Sequence, residues 1–354
     1  MYCRSNRSRS ALSLVNLVIV IAMVGLLLAL LLSAVQKVRE AANRVVCSNN
    51  LKQIALAMHN FVDSNGRFPT APGGDDFLGG AGIAYDREDR PLWVISQTAG
   101  WAFQIVPYVE AGHLYTTSDI HRGEDGKPDN VFHYPRSDLS KLSATFPAGS
   151  YNIDLFAPAG AVRSTAWKPY YCPSRGEARL VRGIGMIDYA ACRPDQVPIP
   201  KDKDGKIAGD AAGTLLMTNP IGTHGVISAR SERVTLAAIK DGTSNTMMVL
   251  DKFVRPADYL TGGPGYSLGF AEYGGIDTCR SATTVAGWLP NPSYDTNDIA
   301  ADQDVQFGSA HPAGVMAAFV DGSVHTIRFG IDPQTFNALA NRDDGSRLEK
   351  FEDD

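Results

Sequence analysis

The most distinctive hydrophobic pattern of the chain lies near its N-terminus. Every residue from Leu17 to Leu32 is apolar, and residues 12–35 add only Ser13, Asn16 and Ser33 as polar positions. A helix of about 20 apolar residues is long enough to cross a lipid bilayer. The pattern therefore predicts a transmembrane helix over residues 12–35.

A second pattern begins where this apolar run ends. Within residues 36–65 no proline or glycine occurs before Gly66, and apolar residues recur at steps of three and four. The members of this stripe are Val38, Ala42, Val45, Val46, Leu51, Ile54, Met58 and Phe61. Their spacing predicts an amphipathic continuation of the same helix, with its apolar stripe packed on a globular body. Asn65-Gly66, followed by Pro69, predicts its end.

The remaining residues, 66–354, lose the helical period and contain short apolar runs separated by turn residues. The clearest pair of runs lies in residues 314–329, where Asp321-Gly322 separates them and predicts a β-hairpin. Asp332-Pro333 then predicts the start of a short helix over residues 333–341. The predicted fold class is α+β, with a long N-terminal helix packed on an antiparallel β-sheet body.

Charge and leader sequence predict where the chain resides. Residues 1–11 form a short leader that contains Arg4, Arg7 and Arg9. Positive charge before a membrane helix favours a cytoplasmic N-terminus. We therefore expect a single-pass protein of the inner (cytoplasmic) membrane, with the body exported to the periplasm or cell surface. Cleavage by a secretory signal peptidase after Ala34 is disfavoured, because Leu32 occupies the −3 position, where a small residue is required.

Composition narrows the class of partners. The 34 glycines and 20 prolines favour a body rich in loops and strands, and the formal charge is −5. No long basic run is present, so a nucleic-acid partner is not expected. The lipid bilayer is the expected partner of the N-terminal helix.

The N-terminal segment resembles that of type IV prepilins and pseudopilins. The processing site of that family reads G-F-T-L-V-E, and residues 11–16 of this chain read A-L-S-L-V-N in the same register. The resemblance implies that a prepilin peptidase cuts between Ala11 and Leu12 and methylates the new N-terminus. It also implies assembly with other pilin-like subunits or with secretion machinery. Two positions depart from the pattern: Ala11 replaces the glycine, and Asn16 replaces the glutamate that pairs with a neighbour's amine during assembly.

The body resembles a large family of prepilin-like exported proteins that is expanded in planctomycetes and has no assigned function. Five ordered motifs carry this resemblance: C-S-N-N-L-K-Q-I at residues 47–54, P-Y-x-E at 107–110, C-P-S at 172–174, D-G-T-S-N-T at 241–246, and His311 followed after nine residues by Asp321-Gly322. The resemblance implies an exported body but no reaction.

Two of these motifs contain side chains that suggest a ligand. His311 with Asp321 has the composition of a catalytic or metal-binding pair, and the Asp241-Gly242 turn is rich in hydroxyl groups. A structural role is favoured for both, because aspartate and hydroxyl side chains commonly bond the backbone within turns. A ligand or recognition role for His311 is the alternative.

The cysteines permit one disulfide prediction. The chain contains five cysteines and no C-x-x-C pair. If the body is exported, Cys172 and Cys192 are a candidate disulfide, because extracytoplasmic compartments allow these bonds. The alternative is that both are isolated buried thiols.

One acidic segment is a candidate calcium site. Asp295, Asn297 and Asp298 begin an oxygen-rich stretch that runs to Asp304. Calcium takes six or more oxygen ligands, and this stretch supplies several. The alternative is a solvated acidic loop, and no other cofactor is expected.

The expected function is structural rather than enzymatic. Gly265-Tyr266-Ser267-Leu268-Gly269 matches a nucleophile elbow in letters, but it lacks the preceding strand and following helix that an elbow needs. We expect a membrane-anchored, pilin-like exported protein with a structural, secretion or cell-surface role. The alternative is an exported glycan- or solute-binding module that is tethered by its N-terminal helix.

Overall fold

A computed structural model describes residues 14–71, 100–109, 165–193, 225–227, 234–263, 266, 269–270, 278–282, 292–297 and 306–345. Ala11, Leu12 and Asp298, for which the sequence makes predictions, lie outside these residues. The chain divides into two compact units, residues 1–45 and residues 46–354.

A single long helix contains the apolar segment. Helix α1, Leu14–Asn65, is 52 residues long and is long and apolar enough to cross a membrane. It ends where the sequence predicts: the N–H of Gly66 donates to the carbonyl of Val62 at 2.7 Å, and Gly66 has φ +69°, a conformation that favours glycine. Together with the sheet below, this helix confirms the predicted α+β class.

The part of α1 that packs in the second unit begins later than its hydrophobic stripe suggests. Its buried residues are Cys47, Asn50, Leu51, Ile54, Ala55, Ala57, Met58 and Phe61. Val38, Val45 and Val46, which the spacing assigns to the packed stripe, are 69, 61 and 47% exposed. Within the second unit the predicted stripe is buried from Leu51 to Phe61 but not at Val46, because helical spacing identifies a face of the helix but not how much of that face is covered.

The body is built on a five-stranded mixed sheet. Its strands, in spatial order, are β5 (Cys279–Ser281), β3 (Tyr189–Arg193), β4 (Met247–Asp251), β8 (Val315–Phe319) and β9 (Val324–Ile327). Neighbouring strands are antiparallel except β3 and β5, which run parallel, with Ala191 opposite Cys279. The predicted antiparallel body is confirmed for three of the four strand pairs of this sheet. The β3–β5 pair at its edge is parallel, since no tight hairpin joins these strands and imposes the opposite direction.

Smaller elements complete the described body. They are the pairs β1 (Leu180–Val181) with β2 (Ile184–Gly185) and β6 (Ser293–Tyr294) with β7 (Gly308–Ser309), and the short helices α2 (Trp101–Gln104) and α3 (Pro333–Ala340). Asp332 caps α3, because its Oδ2 accepts the N–H of Thr335 at 2.9 Å.

The side chains of the sheet belong to two core clusters. Tyr189 and Ala191 of β3 join the cluster that contains the buried face of α1, whereas Ala190 and Cys192 join the cluster that contains α3. Cys172 lies in the core cluster that contains the buried face of α1. Strand alternation directs Cys192 to the opposite face of β3, away from that cluster. Neither Cys172 nor Cys192 forms a disulfide in the structure, which does not support the predicted Cys172–Cys192 pair.

The predicted hairpin segment forms β8 and β9, and its turn contacts a second family motif. Oδ1 of Asp321 accepts the N–H of Ser323 at 2.8 Å, and Gly322 has φ +85°. The N–H of Asp321 donates to the carbonyl of Thr243 at 3.0 Å. Asp321-Gly322 thus satisfies its own backbone and contacts the turn that begins at Asp241.

Asp241 and Gly242 are likewise used by the backbone. The Asp241 carboxylate accepts the N–H groups of Asp344 and Gly345, each at 2.8 Å. Gly242 has φ +100°, which disfavours other residues at this position. These contacts agree with the structural interpretation of the motif.

Candidate functional site

His311 and Asp321 lie at the two ends of β8, so the structure does not bring them together. His311 is completely buried. Its partners come from the C-P-S motif instead: Nε2 lies 3.4 Å from Sγ of Cys172, and Nδ1 lies 3.4 Å from Oγ of Ser174.

A third side chain completes this cluster. The sulfur atoms of Cys47 and Cys172 and a ring nitrogen of His311 all lie within 4.8 Å of one another. All three residues are at most 1% exposed. We call Cys47, Cys172 and His311 the Cys–Cys–His cluster.

Three distant parts of the chain position the cluster. Cys47 is on α1, at the start of its buried face. Cys172 directly precedes the 3-10 turn Pro173–Arg175, and its N–H donates to Oδ2 of Asp188 at 2.8 Å. The N–H of His311 donates to Oγ of Ser309 at 3.1 Å.

A layer of polar side chains surrounds Cys47. Oδ1 of Asp251 lies 3.5 Å from its sulfur, and the hydroxyl of Tyr189 lies 3.2 Å from it. The other oxygen of Asp251 accepts the Ser309 hydroxyl at 2.8 Å and the N–H of Met316 at 3.1 Å. The carboxylate is therefore fixed through Oδ2 and presents Oδ1 to the sulfur.

The two thiols differ in acidity. The hydrogen bond from Cys47 lowers the pKa of Cys172 to about 7; burial acts against this, and the hydrogen bond to His311 adds to it. Burial raises the pKa of Cys47 well above its usual range, and its contacts with Cys172 and Asp251 raise it further. Cys172 is therefore the thiol that more readily becomes a thiolate.

A buried ionic group adjoins the cluster through Arg175, at the end of the same 3-10 turn. Its Nε lies 2.7 Å from Oδ2 of Asp295 and its Nη1 lies 3.6 Å from Oδ1 of Asp188. It also donates to the backbone carbonyls of Asp188, Lys252 and Gly308. These bonds hold the C-P-S segment against the ends of β3 and β4.

Asp295, a candidate calcium ligand from the sequence, is part of this ionic group. Besides Arg175, its carboxylate accepts the hydroxyl of Tyr259 at 2.7 Å and the N–H of Val254 at 3.1 Å. Oδ1 of Asn297 accepts the N–H of Ala257 at 2.9 Å. Because the Arg175 guanidinium already neutralises the Asp295 carboxylate, this contact argues against calcium at Asp295. Calcium at Asn297 stays a prediction.

The sequence contains part of the signal for the cluster. Cys47, Cys172 and His311 each begin one of the five motifs, but nothing in their spacing pairs them. Tyr189 and Asp251 carry no motif signal. Their roles depend on strand register, which places the two residues opposite each other on β3 and β4.

The apolar N-terminal helix and the mixed-sheet body are those of a membrane-anchored or exported α+β protein. Residues 36–334 match a family model described as SBP_bac_10, protein of unknown function (DUF1559). The match covers most of the chain, including the Cys–Cys–His cluster, and the chain belongs to this family.

No curated protein and no solved structure matches the chain. The family match confirms the prediction of a family without an assigned function. The pilin-like and planctomycete parts of that prediction stay predictions.

Proposed function

We propose that this protein is a membrane-anchored, pilin-like protein whose body is exported to the periplasm or cell surface, where it has a structural or secretion-related role without catalysis. One observation carries the proposal. The apolar span and the core residues from Cys47 to Phe61 belong to the same unbroken helix.

The continuity of the helix favours a pilin-like protein over a binding module that is merely tethered to the membrane. A tethered module needs only a membrane segment and a linker, and linkers are typically rich in glycine, serine or proline. Here α1 continues through residues 36–46 without glycine or proline. The anchor is thus an extension of a core helix, as the resemblance to pilins implies.

The exposed side of α1 supports assembly with other subunits. Residues 36–46 include Lys37, Arg39, Glu40 and Arg44 and so extend beyond the apolar span. Val38, Val45 and Val46 are nevertheless exposed in this segment. Apolar side chains on a helix outside lipid are suited to packing against a second helix. Asn16, within the span, offers a hydrogen-bonding group at the position where pilins carry glutamate.

The first prediction concerns the mature N-terminus. Mass spectrometry of the protein from its own membranes is expected to show a chain that begins at a methylated Leu12. Ala11→Gly is expected to raise the cleaved fraction, because glycine is the residue before the cut in the resembled family. Ala11→Arg is expected to abolish cleavage, because a long charged side chain replaces a small one. Ala22→Gly, inside the apolar run, is the matched control and should leave cleavage unchanged. An intact Met1 in both the unaltered chain and Ala11→Gly would contradict the pilin-like proposal.

The second prediction concerns orientation. Leu260 is 73% exposed on the body, so a Leu260→Cys variant that also carries Cys3→Ser presents one accessible thiol. A membrane-impermeant maleimide is expected to label it in cells whose outer membrane is permeabilised and whose inner membrane is intact. The chain with Cys3→Ser alone is the control, since Cys47, Cys172, Cys192 and Cys279 are buried. Labelling only after lysis would place the body in the cytoplasm and refute export.

A further inference from the structure

We propose that the Cys–Cys–His cluster is a transition-metal site that binds Zn²⁺ through Cys47, Cys172 and His311, with Asp251 as the fourth ligand. The site is independent of the membrane-anchoring and assembly function proposed above, because every one of these residues lies within the second unit.

The ligand set favours zinc over harder cations. Thiolate and imidazole groups bind Zn²⁺ and Cu⁺, whereas calcium and magnesium require oxygen ligands. The four side chains offer sulfur, sulfur, nitrogen and oxygen, a combination that occurs in zinc centres. All four are buried, which is typical of a closed structural site.

The distances agree with a tetrahedral centre along two of its edges. Zinc lies about 2.3 Å from sulfur and about 2.0 Å from nitrogen or oxygen. Tetrahedral angles then separate a sulfur from a nitrogen or oxygen ligand by about 3.5 Å. The distance from Cys172 Sγ to His311 Nε2 is 3.4 Å, and that from Cys47 Sγ to Asp251 Oδ1 is 3.5 Å. Asp251 lies outside the group that is mutually within 4.8 Å, so its carboxylate must shift toward the metal to complete the tetrahedron.

Neighbouring side chains orient two of the proposed ligands for metal binding. Metal-binding histidines usually bond a second group through the other ring nitrogen, which orients the ring. Here Ser174 Oγ lies 3.4 Å from Nδ1 of His311, while Nε2 faces Cys172. The Asp251 carboxylate is held through Oδ2, as described above, and its Oδ1 lies 3.5 Å from the sulfur of Cys47. The contacts of His311 Nδ1 and Asp251 Oδ2 thus orient these two ligands with Nε2 and Oδ1 facing the sulfur atoms.

A metal here would join four segments that are far apart in sequence: α1, the C-P-S segment, the end of β4 and the loop before β8. Because a site of this kind does not exist in the unfolded chain, its binding free energy adds to the stability of the fold. Zinc would thus fasten the buried part of α1 to the sheet body.

The third prediction tests this on the full-length protein, purified in detergent under reducing conditions. Elemental analysis is expected to find one zinc per chain. After removal by a chelator, titration with Zn²⁺ against a colorimetric competitor should restore one equivalent. Titration with Co²⁺ should produce thiolate-to-cobalt charge-transfer absorption in the near ultraviolet, a signature that a structural role of the cysteines alone would not give.

Matched variants assign the ligands. Cys47→Ser, Cys172→Ser and His311→Ala are each expected to reduce bound zinc from one equivalent to nearly none. Cys192→Ser, a buried cysteine on the opposite face of β3, should retain the full equivalent. Ser174→Ala should weaken zinc affinity by about 10-fold to 100-fold, the usual effect of removing a group that orients a ligand.

Three results would overturn the proposal. One is folded, reduced protein that binds neither Zn²⁺ nor Co²⁺ stoichiometrically. Another is an equal loss of metal in Cys192→Ser and Cys47→Ser. The third is a Cys47–Cys172 disulfide in peptide maps of unreduced protein from native membranes, because that bond removes two ligands. If the ligand variants fail to fold, the cobalt spectrum of the unaltered chain decides the question.

Discussion

Replacing Arg175 by alanine is expected to destabilise the body by about 3–5 kcal/mol, the range for breaking a buried ion pair from one side. The side chains of Arg175 and Asp188 are fully buried, and that of Asp295 is 1% exposed. Removing the guanidinium leaves two carboxylates without their cation and removes the hydrogen bonds that it donates to three backbone carbonyls. Urea-induced unfolding of the purified full-length protein measures this cost.

Two companion variants make the Arg175 experiment specific. Arg328→Ala, at an exposed position, should change the free energy of unfolding by less than about 0.5 kcal/mol. The double variant Arg175→Ala with Asp295→Asn should cost less than the sum of the two single changes, because the asparagine removes one of the two carboxylates that Arg175→Ala leaves without a cation. A loss below about 1 kcal/mol in Arg175→Ala would show that the ionic group does not stabilise the fold as described.

Gly314→Ala is expected to cost about 3 kcal/mol or more, because backbone strain and steric overlap add at this position. Gly314 has φ +146°, and an added Cβ would lie 2.1 Å from the carbonyl oxygen of Ile327. That oxygen belongs to β9, where Ile327 pairs with Val315 at the open end of the hairpin. An alanine at Gly314 would therefore force the backbones of the two strands apart at this end of the hairpin, three residues after His311. Urea-induced unfolding and hydrogen exchange of the β8 and β9 amides measure the effect.

Gly322 provides the control within the same hairpin. It too has a positive φ, +85°, but an added Cβ would meet nothing within 4 Å. Gly322→Ala should cost only the backbone strain of about 1–2 kcal/mol. Equal losses for the two variants would show that the close approach of Gly314 to β9 is not what requires glycine.

Local sequence patterns were sufficient to predict several secondary-structure elements. The apolar run and the helical spacing predict one long helix, and α1 extends to Asn65 without a break. Asp321-Gly322 between two apolar runs predicts a hairpin, and β8 and β9 form one. These features depend on neighbours a few residues apart, whose interactions are set by backbone period and turn chemistry.

The same patterns do not identify contacts between residues that are distant in sequence. Order along the chain makes Cys192 a candidate partner for Cys172 and places His311 and Asp321 in one motif. The acidic stretch makes Asp295 a candidate calcium ligand. In the structure Cys172 and His311 contact each other, and Asp295 contacts Arg175.

The amino-acid sequence is sufficient to predict the apolar helix, its continuation beyond the apolar run, the C-terminal hairpin and the membership of the motif residues in one family. Which of those motif residues contact each other depends on the folded body. Alternation along β3 directs Tyr189 toward the face of the sheet that contacts α1 and directs Cys192 toward the other face. The pairing of β3 with β4 places Asp251 next to Tyr189 on the neighbouring strand. Side-chain direction and strand register are properties of the assembled sheet, so the convergence of Cys47, Cys172 and His311 exists only in the folded body.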